Sequence, residues 1–473
     1  MNLVKKKFAH PHYVLIIVVS LVAAWLPIIR VYEPFADDFI NRSMISQGLE
    51  SYFNFAGLWR ILGHFTGMIL TIHNPYLYGF IALFTHIITI IFYYQVCNFL
   101  FKDKQFSLIL SLFSGIFPWG YQAVVWASAY TYVLASAFFW LNLFVLLKFI
   151  KYKKQSRVFM LSFILSLMSL FSNESLGFSL AISGSFSLIK IQFFNFNSLK
   201  KFLLENYSFF APFAAFIVYL CVFYLWSSNK SFLQKNPSFN FTTLFSVFFH
   251  QISNLDVFKP WFNSNFHQFI FFEWDKKTFF LIVFALTIFV FEIFILIKEK
   301  RINPKNRVDK FLFIYILLLL FGSSLIYAIT GGYSLDSRKR YSIVPLLLLL
   351  IAYLYKSLVK PRFKLSKKWL FSTCIALFII GISTTWLMTG IYFYETKRTN
   401  DLVDLIVSHN ITGNIQISNW GYFDEWALNA AINYKINGTA SYHDQIIHLT
   451  QSSPKNRLSY DQKNSQWILL PSQ

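Results

Sequence analysis

Apolar residues occur along this chain in long unbroken runs, without the spacing of a half-buried helix or strand. The first run goes from about Tyr13 to Ile29. Others follow at 76–101, 106–118, 122–147, 158–172, 175–195 and 203–226, and, after a polar stretch, at 278–297, 311–329, 342–359 and 369–393. A helix needs about 20 apolar residues to cross ~30 Å of hydrocarbon. The pattern predicts an all-α polytopic membrane protein with about eleven transmembrane helices. Two runs, 106–118 and 158–172, are short for a span. They are either tilted neighbours in a bundle or runs whose true bounds differ from these by several residues. The first run follows Lys5, Lys6 and Lys7 and ends Leu26-Pro27-Ile28-Ile29-Arg30. It exceeds the ~7–15 apolar residues of a signal peptide and has no small-residue cleavage pattern, which predicts a retained span.

Composition agrees with this reading. Hydrophobic residues make up 56% of the 473 and charged residues only 13%, against about 25% charged in a soluble domain. The 58 Phe residues are hard to hide in a water-soluble core, and a bilayer accepts them. The formal net charge of +21 raises the possibility of nucleic-acid binding, but the basic residues do not gather on one face as that function requires. They sit in short clusters between apolar runs. Segments 1–12, 102–104, 148–157, 190–201, 298–310 and 356–368 hold 25 of the 42 Lys and Arg residues, and the longer alternate segments hold 17. Basic residues in short loops mark the cytoplasmic side. The expected orientation is N-terminus cytoplasmic and C-terminus extracytoplasmic in a plasma membrane, taken as bacterial. Cys97, Cys221 and Cys374 all fall within predicted spans and show no metal-ligand or disulfide spacing. They are expected as packing residues.

The expected domains are a membrane domain over 1–393 and a small extracytoplasmic α/β element over 394–473. The membrane domain carries outer loops at 30–75 and 227–277. The tail alternates short apolar runs (Leu402 to Val407, Ile415 to Ile417) with turn residues such as Thr412-Gly413-Asn414. No phosphate-binding glycine loop, G-x-S-x-G or H-E-x-x-H motif occurs. Polar residues inside the spans are few: His86, Gln95, Asn142 and Glu292.

Four clusters fall at the outer ends of spans. Phe35-Ala36-Asp37-Asp38-Phe39 puts two carboxyl groups at an interface, where they need water, a partner or a metal. They could be a solvated loop edge, or a general base with a supporting acid or metal ligand. Leu58-Trp59-Arg60-Ile61-Leu62 has the spacing of a helix lying on the membrane surface, with Arg60 near the headgroups. Ser172-Asn173-Glu174-Ser175 is a tight outer turn whose acid either caps the next helix or joins a site. Asp336-Ser337-Arg338-Lys339-Arg340-Tyr341 is a dense outer basic cluster, against the orientation rule, and suits an anionic phosphate.

These clusters, in this order, resemble the GT-C class of integral membrane glycosyltransferases, which includes protein O-mannosyltransferases and aminoarabinose transferases acting on lipid A. The resemblance covers roughly residues 10–360. It includes Thr85-His86-Ile87 within a span, Phe117-Pro118-Trp119 through Val125-Trp126-Ala127-Ser128, and Arg340-Tyr341-Ser342-Ile343-Val344-Pro345. The chain has Asn173 where that class has Lys, and Arg60-Ile61 in place of Arg-Pro. The resemblance implies inverting transfer from a polyprenyl-phosphate sugar to a protein, lipid or glycan acceptor. It assigns Asp37 as base and Asp38 as an orienting acid, with Glu174 close by. Arg60, Arg338, Lys339, Arg340 and Tyr341 would hold the donor phosphate. Divalent-metal need varies within the class, so Asp37 and Asp38 are also candidate ligands. A flippase or transporter, or a polymerase or ligase of lipid-linked saccharides, would use the same lipid-linked substrate class.

Overall fold

Helices α3 (Pro75–Phe101) and α6 (Tyr130–Phe149) form the centre of the bundle. Both are apolar on nearly every face, so each can be surrounded by other helices. They run parallel: the hydroxyls of Thr85 and Tyr130 are 2.7 Å apart near the N-terminal end of α6, and the rings of Phe92 and Phe144 meet at 5.7 Å further along both helices. The computed structural model describes residues 11–29, 37–47, 62–63, 75–149, 155–184, 207–227, 310–329, 337–356, 367–418, 425–441, 444–450, 456–461, 464 and 466–470. The expected span at 278–297, with Glu292, lies outside them, as do Arg60 and nearly all of the loop 227–277.

Around this pair stand α1 (Pro11–Trp25), α4 (Lys104–Ile116), α7 (Gln155–Ser172), α8 (Gly177–Ser183), α9 (Ala211–Ser227), α10 (Lys310–Ile329), α11 (Ser337–Leu354) and α12 (Lys367–Ser408). Among the described residues, Pro11–Ile29, Leu77–Phe101, Ala127–Phe149 and Gln155–Ser172 are long and apolar enough to cross a membrane. The bundle's outward face is apolar. Phe80 and Phe84 on α3 are 56% and 55% exposed, and Met160 on α7 is 55% exposed. A soluble protein rarely shows so continuous an apolar surface, and hydrocarbon is its natural solvent. Cys97 is buried as expected, but Cys221 is on the exposed face of α9.

Three elements depart from the apolar runs. The run 158–172 starts earlier as a helix, at Gln155, which gives α7 18 residues. The run 122–147 is broken. A five-residue helix α5 (Tyr121–Val125) ends at Trp126, which is extended (φ −104°, ψ 121°), and a 3-10 turn over Ala127–Ala129 leads into α6. The run 369–393 is part of α12, which continues to Ser408 for 42 residues, about 63 Å at ~1.5 Å per residue. The expected domain boundary at 393/394 therefore falls inside one unbroken helix.

Beyond α12 the chain forms β1 (Gly413–Ser418), α13 (Glu425–Asn437), β2 (Ile447–Leu449), β3 (Asn456–Asp461) and β4 (Gln466–Leu470). The sheet order is β2-β1-β3-β4, with β1 parallel to β2 and β3, and β4 antiparallel to β3. Its core combines Leu402 and Ile406 of α12 with Leu428, Ile432, Ile447 and Leu458. Phe39 and Ile40 of α2 (Asp37–Ser46) belong to the same core, so a helix from near the start of the chain completes this C-terminal unit; Ser43 bonds to Ala440, 397 residues later.

The turn before α5 brings Gly120 against the start of α11. A Cβ at Gly120 would lie 2.6 Å from Tyr341 Cα and 2.7 Å from Tyr341 N, and backbone atoms cannot rotate aside. Gly120→Ala is expected to cost about 1–3 kcal/mol by overpacking. The check is apparent Tm in detergent, which should fall by several degrees.

Candidate functional site at the turn before helix α6

Asp38 has no solvent exposure. Its Oδ1 accepts from Ser128 N at 3.0 Å and, in a shorter contact, from Ser128 Oγ. Asn41, one turn further along α2, donates from Nδ2 to Ser128 Oγ at 3.0 Å. The break at Trp126 makes this possible, because within a continuous helix the Ser128 N–H would bond four residues back. Tyr78 of α3 donates to Val124 O, four residues before Ser128, at 3.1 Å. One acid of the pair is thus the plug that docks α2 onto the bundle.

The Asn173-Glu174 turn reaches the same place from α7. Asn173 is buried, its Oδ1 accepts from Ser175 N at 2.9 Å, and its Nδ2 donates to Thr131 Oγ1 at 3.1 Å. Asn173, rather than Glu174, caps the 3-10 turn over Glu174–Leu176. Glu174 is half-buried at the edge of this turn. Leu62-Gly63 also packs here: a Cβ at Gly63 would meet Thr131.

From the third side comes α11. Tyr341 is buried, with its hydroxyl 2.6 Å from His86 Nδ1. His86 Nε2 lies 2.9 Å from Gly115 O, which also accepts from Trp25 Nε1 at 2.8 Å. A carbonyl can only accept, so Nε2 carries the proton and Tyr341 donates to Nδ1 of the neutral ring. The Tyr341 hydroxyl is therefore committed inward. Ser342 Oγ lies 3.3 Å from both Ser136 Oγ and Ser175 Oγ, tying α11 to α6 and to the Glu174 turn.

The structure thus brings together Asp38, Glu174 and Tyr341 at one end of the bundle. Asp37 is the first residue of α2, and Arg338, Lys339 and Arg340 lie in the first turn of α11; their side chains, and Arg60, are outside the described residues. Lys102, Lys104, Lys148 and Lys356 lie at the opposite end, where Lys356 Nζ donates to Phe101 O. Among the described residues no three His, Cys, Asp or Glu side chains could share a metal ion. No family model and no curated protein sequence matches the chain. Sequence reasoning did not assign Ser128, Asn41 or Thr131 a role. The segment Trp126-Ala127-Ser128 carried a signal for Ser128, whereas Asn41 and Thr131 had none.

Ser128→Ala removes one of the two donors that Ser128 offers to a buried carboxyl group and is expected to cost about 1–3 kcal/mol. Because Asp38 and Ser128 share one interaction, Asp38→Asn and Ser128→Ala should be clearly non-additive. Apparent Tm values of the two single variants and the double variant check both statements.

Proposed function

We propose that this chain is a GT-C-like glycosyltransferase that moves a sugar from a polyprenyl-phosphate donor to an acceptor hydroxyl. The observation carrying this reading is the meeting of three elements around the first turn of α6. These are the acid-bearing α2, the Asn173-Glu174 turn and the basic first turn of α11. The basic turn supports a phosphate ligand on electrostatic grounds. A helix N-terminus already carries about half a positive charge, so three cations in the first turn repel it. An anion relieves both at once.

In this reading Asp37 takes the proton from the acceptor hydroxyl as its oxygen bonds to the anomeric carbon. The bond from that carbon to the phosphate oxygen breaks on the opposite face, which inverts the configuration. The lipid phosphate departs with the electron pair, beside Arg338, Lys339 and Arg340. Asp38, held by Ser128, fixes the first turn of α2 and so the base. Tyr341, anchored on His86, fixes the first turn of α11 and leaves the phosphate to the three cations. Arg60 stays a candidate phosphate contact and Glu174 an acid at the rim. The site end faces the extracytoplasmic side of a plasma membrane, and the Lys-rich end faces the cytoplasm. The C-terminal unit is extracytoplasmic, and the chain crosses the membrane about eleven times. Acceptors are proteins, lipids or glycans.

Asp37→Asn should insert and fold normally while losing on the order of 10²–10⁴ in turnover. Purified wild type and variant, assayed in detergent against a panel of synthetic polyprenyl-phosphate sugars, provide the test. Normal transfer by the variant would refute Asp37 as the base.

A further inference from the structure

Helix α2 is ten residues long, too short to be stable alone in water, and its two faces are buried against different bodies. Asp38 and Asn41, three residues apart and so on one face, bond to Ser128 of the bundle. Ile45 continues that face into the apolar core around Trp25 and Tyr78. The other face carries Phe39 and Ile40, which enter the core of the C-terminal unit, and Ser43, which has no exposure. Ser43 Oγ accepts from Ala440 N at 2.9 Å, directly after α13. The Phe39 and Tyr434 rings meet at 5.7 Å.

We infer that the C-terminal unit positions α2, with Ser43 as the positioning residue that sets the helix in register. The C-terminal unit hangs from α12, a single rod that also packs within the bundle, where Thr385 donates to Ile116 O. Trp467 Nε1 donates to Arg398 O at 2.7 Å, which fixes the sheet to that rod. The unit therefore cannot shift without moving against the bundle, and α2 is gripped between two surfaces joined by one helix. Resting on the glycosyltransferase reading, the consequence is that the base at the first residue of α2 owes its placement to the tail. A displacement of about 1 Å at a reacting group can cost on the order of 10²-fold in rate. Donor affinity depends on the separate basic turn of α11, so it should change little.

The test uses the full chain and two readouts: amide hydrogen exchange over residues 37–47, and kcat against KM for a synthetic polyprenyl-phosphate sugar. Ser43→Val removes the acceptor at nearly constant volume, Ser43→Thr keeps it, and Tyr434→Ala weakens the contact from the tail side. The expected result for Ser43→Val and Tyr434→Ala is at least tenfold faster exchange in 37–47. Their kcat should fall about tenfold with KM within twofold, and Ser43→Thr should behave as wild type. Wild-type exchange in both weakened variants overturns the positioning role, as does faster exchange with unchanged kcat. If Ser43→Val fails to fold, Tyr434→Ala decides by the same criteria. If wild type transfers no sugar, the glycosyltransferase reading fails and the exchange readout alone decides whether the tail positions α2.

Discussion

The buried carboxyl group of Asp38 imposes the central constraint on this structure. Removing such a group from water costs several kcal/mol unless hydrogen bonds replace the lost solvent. Ser128 supplies two, from its amide and its hydroxyl, and the amide is free to do so only because the helix is interrupted at Trp126. Docking of α2 and the break in the apolar run 122–147 are therefore one event. A continuous helix through Ser128 would leave the carboxyl group without its amide donor, and an α2 that swung away would leave the Ser128 N–H without an acceptor. Each departure is penalised by the other.

The same accounting runs through the bundle. With no water in hydrocarbon, hydroxyls either fold back on the helix or join helices. Thr89 and Ser111 take the first course, donating to Thr85 O and Ser107 O. His86 takes the second, linking α3 to Gly115 of α4 and Tyr341 of α11, with Trp25 of α1 on the same carbonyl. Four helices thus share one polar knot near the end where α2 docks. It fixes the first turn of α11 from below, while Ser342 fixes it sideways against Ser136 and Ser175.

What the sequence revealed follows from which forces it encodes locally. Apolar runs marked α3, α4, α7 and α10 within a few residues, because burial in hydrocarbon needs only hydrophobicity over a sufficient length. The break at Trp126 was illegible: 121–147 contains no Pro or Gly, and the bend is set by a carboxyl group some 90 residues earlier. The reach of α12 to Ser408 was illegible because apolarity stops near Phe393, and tertiary packing of Leu402 and Ile406 carries the helix onward. Helix α2 read as a loop, since its apolar positions serve two different cores and show no single stripe. The acidic pair was visible because charge at an interface is costly. Ser128, its partner, was visible only as the last residue of the segment Val125-Trp126-Ala127-Ser128, and nothing in the sequence tied it to Asp38.

The distribution of charge at the site end limits what could complete it. Asp38 is turned inward onto Ser128. The first turn of α11 adds Arg338, Lys339 and Arg340 to a helix terminus that is already electropositive. Tyr341 below them spends its hydroxyl on a histidine. Under the proposed function these three cations stand on a turn held by His86 and Ser342, a preorganised arrangement that needs no reorganisation when an anion arrives. Such rigidity would be wasted on solvent counter-ions, which need no fixed geometry. On the proposed reading it suits a phosphate whose charge grows as a bond to it breaks, with α2 held on the far side of the same turn.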